Sequence, residues 1–281
     1  MNLITVGGLA LPQIGLGTFP MKGDVLENAL NNAACCGYKL IDTAFKYQNE
    51  SLIGDYLDKN NEIEDPIIVQ TKFSVTQLSY KKFLFIKYGR KTIDDGINGS
   101  RERLKKECLD VYLLHAPSNG FENHFGDLIR FRKQGKAKIV GVCRFDEKQL
   151  QTIKDLYGEY PAINQIEVHP FHTNKKLIDF CKSKGIAVEA RTVFTHGDAL
   201  SVMLNNEVLK TIASNHEKTI PQVILRWVVE QGLIAIVKSE TAKHIQENIN
   251  VFDFSLSNQE IALIDSLNKD LSFGCVSSKS K

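Results

Sequence analysis

Short apolar runs rich in β-branched residues alternate with longer amphipathic stretches along nearly the whole chain. A short apolar run is typical of a buried strand, whereas apolar positions spaced three and four residues apart indicate a helix with one buried face. The pattern predicts eight strands, at residues 13–17, 39–42, 67–71, 111–115, 138–142, 163–168, 186–190 and 233–238. Strands and helices that alternate in this way are typical of a parallel sheet built from strand–helix units.

Two of the intervening helices have clear ends. The stretches 24–36 and 174–184 carry apolar residues on one face, and each is followed directly by glycine. Glycine readily adopts the left-handed conformation that ends many helices. We expect the side chains of Asp24 and Asn174 to cap the N-termini of these two helices.

Eight parallel strands can close into a (β/α)8 barrel or stay open as a doubly wound sheet, and periodicity alone does not choose between them. The GxGxxG fingerprint that follows the first strand of many open sheets is absent. A length of 281 residues fits one such barrel, which typically needs about 250 residues. We therefore predict a single (β/α)8 TIM-barrel domain over 1–281, with extra C-terminal helices, a flexible tail at 271–281, and an N-terminal β-hairpin from 3–6 and 9–11 that could close the N-terminal end of the barrel.

The charge balance favours a small-molecule partner. The chain has 35 basic and 33 acidic residues and a net charge of +2, which offers no strong field for nucleic acid or an anionic membrane. It shows neither a secretory leader nor an apolar stretch long enough to span a membrane, so we predict a cytoplasmic monomer. The six cysteines lack zinc-ligand spacing, and His169 and His172 lack a third partner, so we expect reduced thiols and no metal.

Four polar residues lie at or just after the ends of neighbouring predicted strands: Asp42, Tyr47, Lys72 and His115. Each alone is more often structural than catalytic, but the carboxyl ends of barrel strands converge on one site. A tyrosine, with an ordinary pKa of about 10, donates a proton near neutral pH only if a neighbouring cation stabilises its phenolate. Lys72 could supply that charge, Asp42 could hold the lysine, and His115 could hydrogen-bond a substrate carbonyl oxygen.

Several motifs closely resemble those of the aldo-keto reductase family, and the resemblance spans roughly residues 3–270. They are IDTAFKYQNE at 41–50, QTK at 70–72, LLHAP at 113–117, GVCRF at 141–145, NQIEVHP at 164–170, VKS at 237–239 and EN at 247–248. The resemblance implies that Asp42, Tyr47, Lys72 and His115 are the catalytic tetrad. It also implies that NAD(P)H delivers a hydride to an aldehyde or ketone while Tyr47 acts as the general acid.

The resemblance also implies a set of cofactor contacts. These are Gly17, Thr18, Asp42, Gln165, Lys238, Ser239, Glu247 and Asn248, together with the altered positions Cys143, Arg144, Arg191 and His244. His244 stands where the family commonly has an arginine that grips the 2′-phosphate of NADPH. Loss of one charge-assisted hydrogen bond lowers selectivity by about ten- to a hundredfold. The expected cofactor is therefore NADPH, with NADH use possible.

Other positions depart from the family pattern near the predicted site. Cys143 and Arg144 replace a Ser-Asn pair that contacts the nicotinamide, and Arg191 replaces an aromatic residue that stacks on it. The two arginines could repel the oxidised cofactor and so favour reduction, bind a carboxylate or phosphate on the substrate, or form salt bridges at the rim of the barrel. Ala116 replaces a common tryptophan, so the pocket could admit a bulkier substrate. The aromatic segment 74–90 is longer than usual and could shape a substrate pocket, contact a partner, or be a lengthened, partly packed loop.

Two other functions stay open at this point. The altered nicotinamide contacts are compatible with a cofactor-binding regulatory or sensor subunit that turns over weakly. Tyr47 and Lys72 could also serve a non-redox acid/base reaction on the same barrel.

Overall fold

The computed structural model describes residues 2–60, 67–74 and 92–273. The aromatic segment at 74–90 lies outside the described residues except for Ser74. The predicted flexible tail at 271–281 lies outside them except for 271–273.

Eight parallel strands form a closed barrel, as the apolar pattern predicted. The barrel strands lie in the order β10-β3-β4-β5-β6-β7-β8-β9, and β1 and β2 form a separate antiparallel pair. The strands are β1 (Leu3–Val6), β2 (Leu9–Pro12), β3 (Ile14–Gly17), β4 (Leu40–Asp42), β5 (Ile68–Phe73), β6 (Leu109–Leu114), β7 (Ala137–Cys143), β8 (Ile163–Glu167), β9 (Ala187–Arg191) and β10 (Ile234–Val237). All eight predicted barrel strands are present, with ends that differ by one or two residues.

The N-terminal hairpin packs against one end of the barrel interior. Val6 and Leu11 belong to the same buried cluster as Val111, Ile139 and Ile234, which point into the barrel. Leu11 has no exposed surface. The expectation that this hairpin closes the barrel is therefore confirmed.

Helices surround the barrel and continue past its last strand. Within the described residues they are α1 (Gly23–Cys35), α2 (Glu50–Lys59), α3 (Ile93–Leu104), α4 (Phe121–Lys133), α5 (Glu147–Tyr157), α6 (Lys175–Ser183), α7 (Asp198–Leu204), α8 (Glu207–Asn215), α9 (Ile220–Glu230), α10 (Ala242–Ile249) and α11 (Asn258–Asp265). A 3-10 turn, Phe45–Tyr47, follows β4. The helices α10 and α11 after β10 agree with the predicted C-terminal helices.

The predicted helix ends lie within one residue of the observed ones, but neither Asp24 nor Asn174 makes the predicted side-chain cap. Lys22 occupies the N-cap of α1 but makes no side-chain cap. Asp24 lies in the first turn, where its carboxylate interacts favourably with the positive end of the helix dipole. Asn174 occupies the N-cap of α6 with a φ of 53°. Its amide instead donates to the Glu167 carbonyl oxygen at 3.2 Å, so it joins α6 to β8 rather than capping the helix.

The core between barrel and helices contains the largest aromatic side chains. Trp227, Phe131 and Phe125 are almost completely buried, and the Trp227 indole donates to Asp265 Oδ1 at 2.9 Å. Trp227 and Phe131 are therefore packing residues of this core. The five cysteines within the described residues are free thiols, and none of the described helices is both long and apolar enough to cross a membrane.

Candidate active site

The four residues predicted to act together meet at the carboxyl end of the barrel. Asp42 ends β4, Lys72 is the penultimate residue of β5, His115 follows β6, and Tyr47 closes the 3-10 turn. Lys72 Nζ donates to Asp42 Oδ2 at 2.6 Å and to the Thr43 carbonyl oxygen at 3.0 Å. It lies 3.4 Å from the Tyr47 hydroxyl oxygen. The rings of Tyr47 and His115 meet edge to face with centroids 5.8 Å apart.

The loop that carries Tyr47 is anchored by a buried asparagine. Asn49 Oδ1 accepts a hydrogen bond from the Thr43 hydroxyl at 2.6 Å. Its amide nitrogen donates to the carbonyl oxygens of Thr18 and Met21 at 3.2 and 3.1 Å. Because these partners lie on both sides of the loop, the Tyr47 backbone is held against β3 and β4, and the phenol needs little further ordering to reach Lys72.

Lys72 keeps its charge in spite of complete burial. Burial by itself lowers the pKa of an ammonium group, but the Asp42 carboxylate and the Tyr47 oxygen hold the pKa of Lys72 above its ordinary value. The side chain has no exposed surface, and Asp42 has almost none. Lys72 is therefore a permanent cation beside the phenol of Tyr47.

Tyr47 stays protonated at neutral pH. Burial raises the pKa of its phenol, and the positive charge of Lys72 opposes that rise without cancelling it. Phe19, on the loop after β3, packs against the phenol with ring centroids 4.9 Å apart and is largely exposed on its other side. Sequence reasoning did not find Phe19, since an aromatic residue after a strand has no particular signature.

His115 is an uncharged imidazole. Burial lowers its pKa well below the ordinary value, and Lys72, Arg144 and other nearby cations lower it further. Its Nδ1 atom is buried and has no hydrogen-bond partner within the described part of the chain. A neutral ring of this kind can donate one hydrogen bond to a carbonyl oxygen but is a poor source of a second proton.

Beneath Asp42 lies an interior network, which we define as Asp42, Gln70, Gln165 and Glu189. The Gln70 amide nitrogen donates to Asp42 Oδ1 and Glu189 Oε2, each at 2.7 Å. The Gln165 amide nitrogen donates to the same two oxygens, at 3.1 and 2.9 Å. Sequence reasoning missed Glu189, although a charged residue inside the apolar run 186–190 was a detectable signal.

One group of predicted cofactor residues clusters where β10 meets β3. A Cβ atom at Gly17 would lie 3.3 Å from the Ile236 side chain and 3.5 Å from the Lys238 backbone nitrogen, so the two strands approach closely here. Thr18 is buried and its hydroxyl donates to the Asp42 carbonyl oxygen at 2.9 Å. Ser239 is also buried, and its hydroxyl has no partner among the described residues.

The other predicted residues of this side lie on or next to α10. Lys238 is exposed and pairs with Glu240 at 2.5 Å. His244 lies in the first turn of α10 and is exposed, whereas Asn248 is buried. Glu247 lies 3.8 Å from Lys243. An exposed imidazole and an exposed ammonium group near an unsatisfied hydroxyl form a surface that suits an anionic ligand.

Comparison with known proteins identifies the family. A family model described as the aldo/keto reductase family matches residues 11–269. This chain belongs to the aldo/keto reductase family. The predicted family, the barrel, and the expected reaction class, nicotinamide-dependent reduction of a carbonyl group by an oxidoreductase, are thereby confirmed.

Relatives of known structure and sequence resemble the reductase over almost its full length. Glyoxal reductase of Bacillus subtilis is 34% identical over 94% of this chain and 91% of its own. The 9,11-endoperoxide prostaglandin H2 reductase of Trypanosoma cruzi is 33% identical over 97% of this chain and 94% of its own. An aldo-keto reductase from a Medee basin deep-sea metagenome library superimposes with a TM-score of 0.85 at 32% identity, covering 94% of each chain. A mutant of Gox0644 in complex with NADPH gives a TM-score of 0.84 at 29% identity, covering 100% of this chain and 98% of its own.

The remaining predicted contacts of the reductase lie on β7, β8 and β9. Cys143 and Gln165 point into the barrel, where the thiol lies 3.9 Å from Gln165 Oε1, and burial raises the pKa of Cys143 to about 12. Arg144 and Arg191 line a cavity of about 280 Å³ together with His172 and Ser272. Cys143 and Gln165 therefore support the barrel interior, while Arg144 and Arg191 line an open cavity.

Glu167 at the end of β8 holds the last described residues of the chain. Its carboxylate accepts hydrogen bonds from the Phe273 backbone nitrogen at 2.6 Å and the Ser272 hydroxyl at 2.9 Å. It also contacts His169 Nε2 at 3.1 Å and Arg191 at 3.6 Å. Burial raises the pKa of Glu167, but these donors outweigh it and lower the pKa to about 2. The carboxylate therefore fastens Ser272 and Phe273 beside the cavity.

Proposed function

We propose that this reductase converts an aldehyde or ketone to an alcohol with NADPH as the hydride donor and Tyr47 as the proton donor. One observation carries the proposal: a fully buried lysine joins a carboxylate to a phenol at the mouth of the barrel. Such a charge is costly to bury, and its placement beside a weakly acidic hydroxyl is explained by proton transfer at that hydroxyl.

Each tetrad residue has one task in the proposed reaction. The neutral His115 donates a hydrogen bond to the substrate carbonyl oxygen and orients the carbonyl carbon. NADPH, when bound, would supply the hydride for this carbon. Tyr47 gives its proton to the same oxygen, and the charge of Lys72 stabilises the phenolate that remains. Asp42 keeps Lys72 charged and in place.

The residues present fit a dinucleotide phosphate. The buried Ser239 hydroxyl lacks a partner in the described structure, and the exposed Lys238 and His244 lie close to it in sequence. Of the residues named from the resemblance, we propose that Gly17, Thr18, Asp42, Lys238, Ser239, His244, Glu247 and Asn248 hold NADPH, whereas Cys143 and Gln165 face the barrel interior and Arg144 and Arg191 are assigned to the substrate. Because His244 replaces an arginine, we propose that NADH is accepted as well, with weaker discrimination than in the family.

The cavity between β7 and β9 supports a proposal about the substrate. Arg144 and Arg191 line the same cavity, where Arg191 also lies 3.6 Å from the Glu167 carboxylate, and the charges of both arginines lower the pKa of His115. Planar guanidinium groups suit the two oxygens of a carboxylate or phosphate. We propose that the substrate carries such a group beside its carbonyl. The names of the relatives, a glyoxal reductase and a prostaglandin endoperoxide reductase, describe different substrates and leave this choice open.

The decisive experiment compares the wild type with Tyr47→Phe. We expect the variant to lose about 10²- to 10⁴-fold in kcat, the usual contribution of a general acid, while the Kd for NADPH stays unchanged. Cofactor oxidation would be followed over a panel of aldehydes, and the Kd by cofactor fluorescence. Unchanged turnover in the variant would remove Tyr47 as the proton donor.

The same titration separates the alternative functions. A sensor with weak turnover would bind NADPH tightly and oxidise it with no aldehyde in the panel. A non-redox acid/base enzyme would bind neither cofactor. The cytoplasmic location and the monomeric state stay predictions, and size-exclusion chromatography with light scattering tests the second of them.

A further inference from the structure

Glu189 is a fully buried carboxyl group that the proposed reaction does not use. It lies on β9 in the middle of the barrel and has no exposed surface. One oxygen, Oε2, accepts hydrogen bonds from Gln70 of β5 and Gln165 of β8. The same two amide nitrogens donate to Asp42 Oδ1. Glu189 therefore shares both of its donors with the counter-ion of Lys72.

Two oxygens of this interior network lack a donor. Glu189 Oε1 and Gln70 Oε1 are buried and have no hydrogen-bond partner within the described part of the chain. A buried acceptor without a donor is costly, and natural cores contain few of them. A proton on Glu189 Oε1 would turn one orphaned acceptor into a donor. Gln70 Oε1, a buried acceptor without a donor among the described residues, belongs to the same network.

The charges around Glu189 also favour the protonated form. The charged or titratable side chains that face it from other strands, within the described residues, are Asp42 on β4, Lys72 on β5 and Cys143 on β7. The inward positions of β3, β6 and β10 are occupied by glycine and aliphatic residues. An ionised Glu189 would thus place two carboxylates against the one positive charge of Lys72 in a medium that screens charge poorly.

We propose that Glu189 is a positioning residue that is held protonated, and that it orients the Gln70 and Gln165 amides onto Asp42 and thereby fixes the counter-ion of Lys72. The inference rests on the proposed function for its catalytic consequence, because Lys72 matters there as the cation beside Tyr47. The protonation of Glu189 is independent of that function.

The inference predicts a change with pH. Burial, and next the charge of Asp42, raise the pKa of Glu189 to about 7. A carboxyl group with a raised pKa binds its proton more tightly in the folded state, so its contribution to stability is complete below the unfolded pKa and is lost as the pH rises through the folded value. Above about pH 7, ionisation would add a second negative charge to the network and oppose formation of the Tyr47 phenolate.

Two variants and one control test the inference. Glu189→Gln keeps the shape and neutrality of the protonated acid, since its amide supplies an acceptor oxygen and, in place of the acid O–H, an NH2 donor group. Glu189→Leu removes the acceptor that holds both glutamines. Glu207→Gln is the matched control, because Glu207 is 84% exposed and pairs only with Lys210 in the described structure. For each protein, kcat, KM, the Kd for NADPH and the melting temperature are measured between about pH 5 and pH 9, a range that spans the ordinary and raised pKa of the group.

The expected results separate a positioning role from simple packing. Glu189→Gln should keep kcat within about threefold at neutral pH, since its hydrogen bonds are conserved, and should lose less stability than the wild type between pH 5 and pH 8. Glu189→Leu should lower kcat by about tenfold or more with an unchanged Kd for NADPH, the amount expected for a weakened hydrogen bond to a charged group. In the wild type, infrared spectroscopy should show the carbonyl band of a protonated carboxylic acid, which Glu189→Gln lacks and Glu207→Gln retains.

Two results would overturn the inference. One is a wild-type infrared spectrum without that band at pH 6 together with a stability profile identical to that of Glu189→Gln. The other is a Glu189→Leu variant that is folded and has the same kcat as the wild type. If the wild type reduces no aldehyde, the proposed function fails, but the infrared and melting experiments still decide whether Glu189 is protonated.

Discussion

Replacing Lys72 by methionine tests whether its charge is needed mainly to balance Asp42. Methionine has a similar length and keeps the buried volume filled, so the change removes the charge with little loss of packing. The carboxylate of Asp42 would keep the two glutamine donors at 2.7 and 3.1 Å but lose the ammonium group at 2.6 Å. The main result is therefore a nearly fully buried negative charge without a counter-ion.

The expected cost is large because neither partner is solvated. Lys72 has no exposed surface and Asp42 is 4% exposed. Breaking such a pair by removing one partner typically costs about 3–5 kcal/mol. Since two amide donors remain on Asp42, we expect a value near the lower end, about 3 kcal/mol. Asp42→Asn should cost a similar amount, because it leaves the buried ammonium group without its carboxylate.

The double variant Lys72→Met/Asp42→Asn supplies the matched control. It removes both charges, and the new asparagine side chain keeps an oxygen for the two glutamine amides, so we expect stability within about 1 kcal/mol of the wild type. Urea unfolding can be followed by the fluorescence of Trp227, the single tryptophan of the chain. With an m-value of about 3 kcal/mol/M, each single variant should lower the midpoint by about 1 M. All three variants should lack reductase activity, so stability and catalysis are measured separately.

The reasoning would be refuted if both single variants unfolded within about 1 kcal/mol of the wild type. It would also be refuted if the double variant lost as much stability as the two single variants together, because the two charges would then not compensate each other.

Three further predictions concern cofactor, substrate and pH. His244→Arg should tighten NADPH binding relative to NADH by about ten- to a hundredfold, and an unchanged ratio of the two Kd values in fluorescence titration would show that this position does not contact the 2′-phosphate. The double variant Arg144→Gln/Arg191→Gln should lower kcat/KM for 4-carboxybenzaldehyde by at least about tenfold and leave its methyl ester unaffected; equal losses for both would argue against an anion site. Glu167→Gln should lose up to about 3.5 kcal/mol at pH 7, since the pKa of Glu167 is lowered from 4.5 to about 2 and each pKa unit corresponds to about 1.4 kcal/mol. A carboxyl group whose pKa is lower in the folded state stabilises the fold at pH values above its unfolded pKa, and this stabilisation is lost as the pH falls through its folded pKa. The difference in melting temperature between wild type and variant should therefore shrink between pH 4.5 and pH 2. A difference independent of pH would contradict this account.

The strands of this barrel could be predicted because burial imposes a local pattern. A barrel strand is covered by helices on its outer face and packed against other side chains on its inner face, so its sequence is an almost continuous apolar run. All eight predicted runs form barrel strands. The side-chain caps of the helices could not be predicted as reliably from the sequence. Asp24 and Asn174 are both favourable cap residues, yet the backbone enters α1 at Lys22, and Asn174 uses its amide on Glu167 instead.

The convergence of Asp42, Tyr47, Lys72 and His115 could be predicted because they lie at or just after the ends of neighbouring strands, where the barrel brings side chains together. Glu189 and Gln70 could not be paired in this way. They are 119 positions apart in the chain and meet only because the barrel closes. The same closure explains why Cys143, expected to contact the cofactor, has its thiol inside the barrel near Gln165.

The sequence by itself determined the order of strands and helices, the family, and the residue types at the site, since hydrophobic periodicity and short motifs are local properties of the chain. Only the tertiary structure decided the charge states of these residues. The pKa of Lys72 is raised, that of His115 is lowered, and that of Glu189 is raised to about 7, because burial and distant neighbours set the balance between the charged and neutral forms. Those neighbours come from different strands, and no segment of the sequence contains them together.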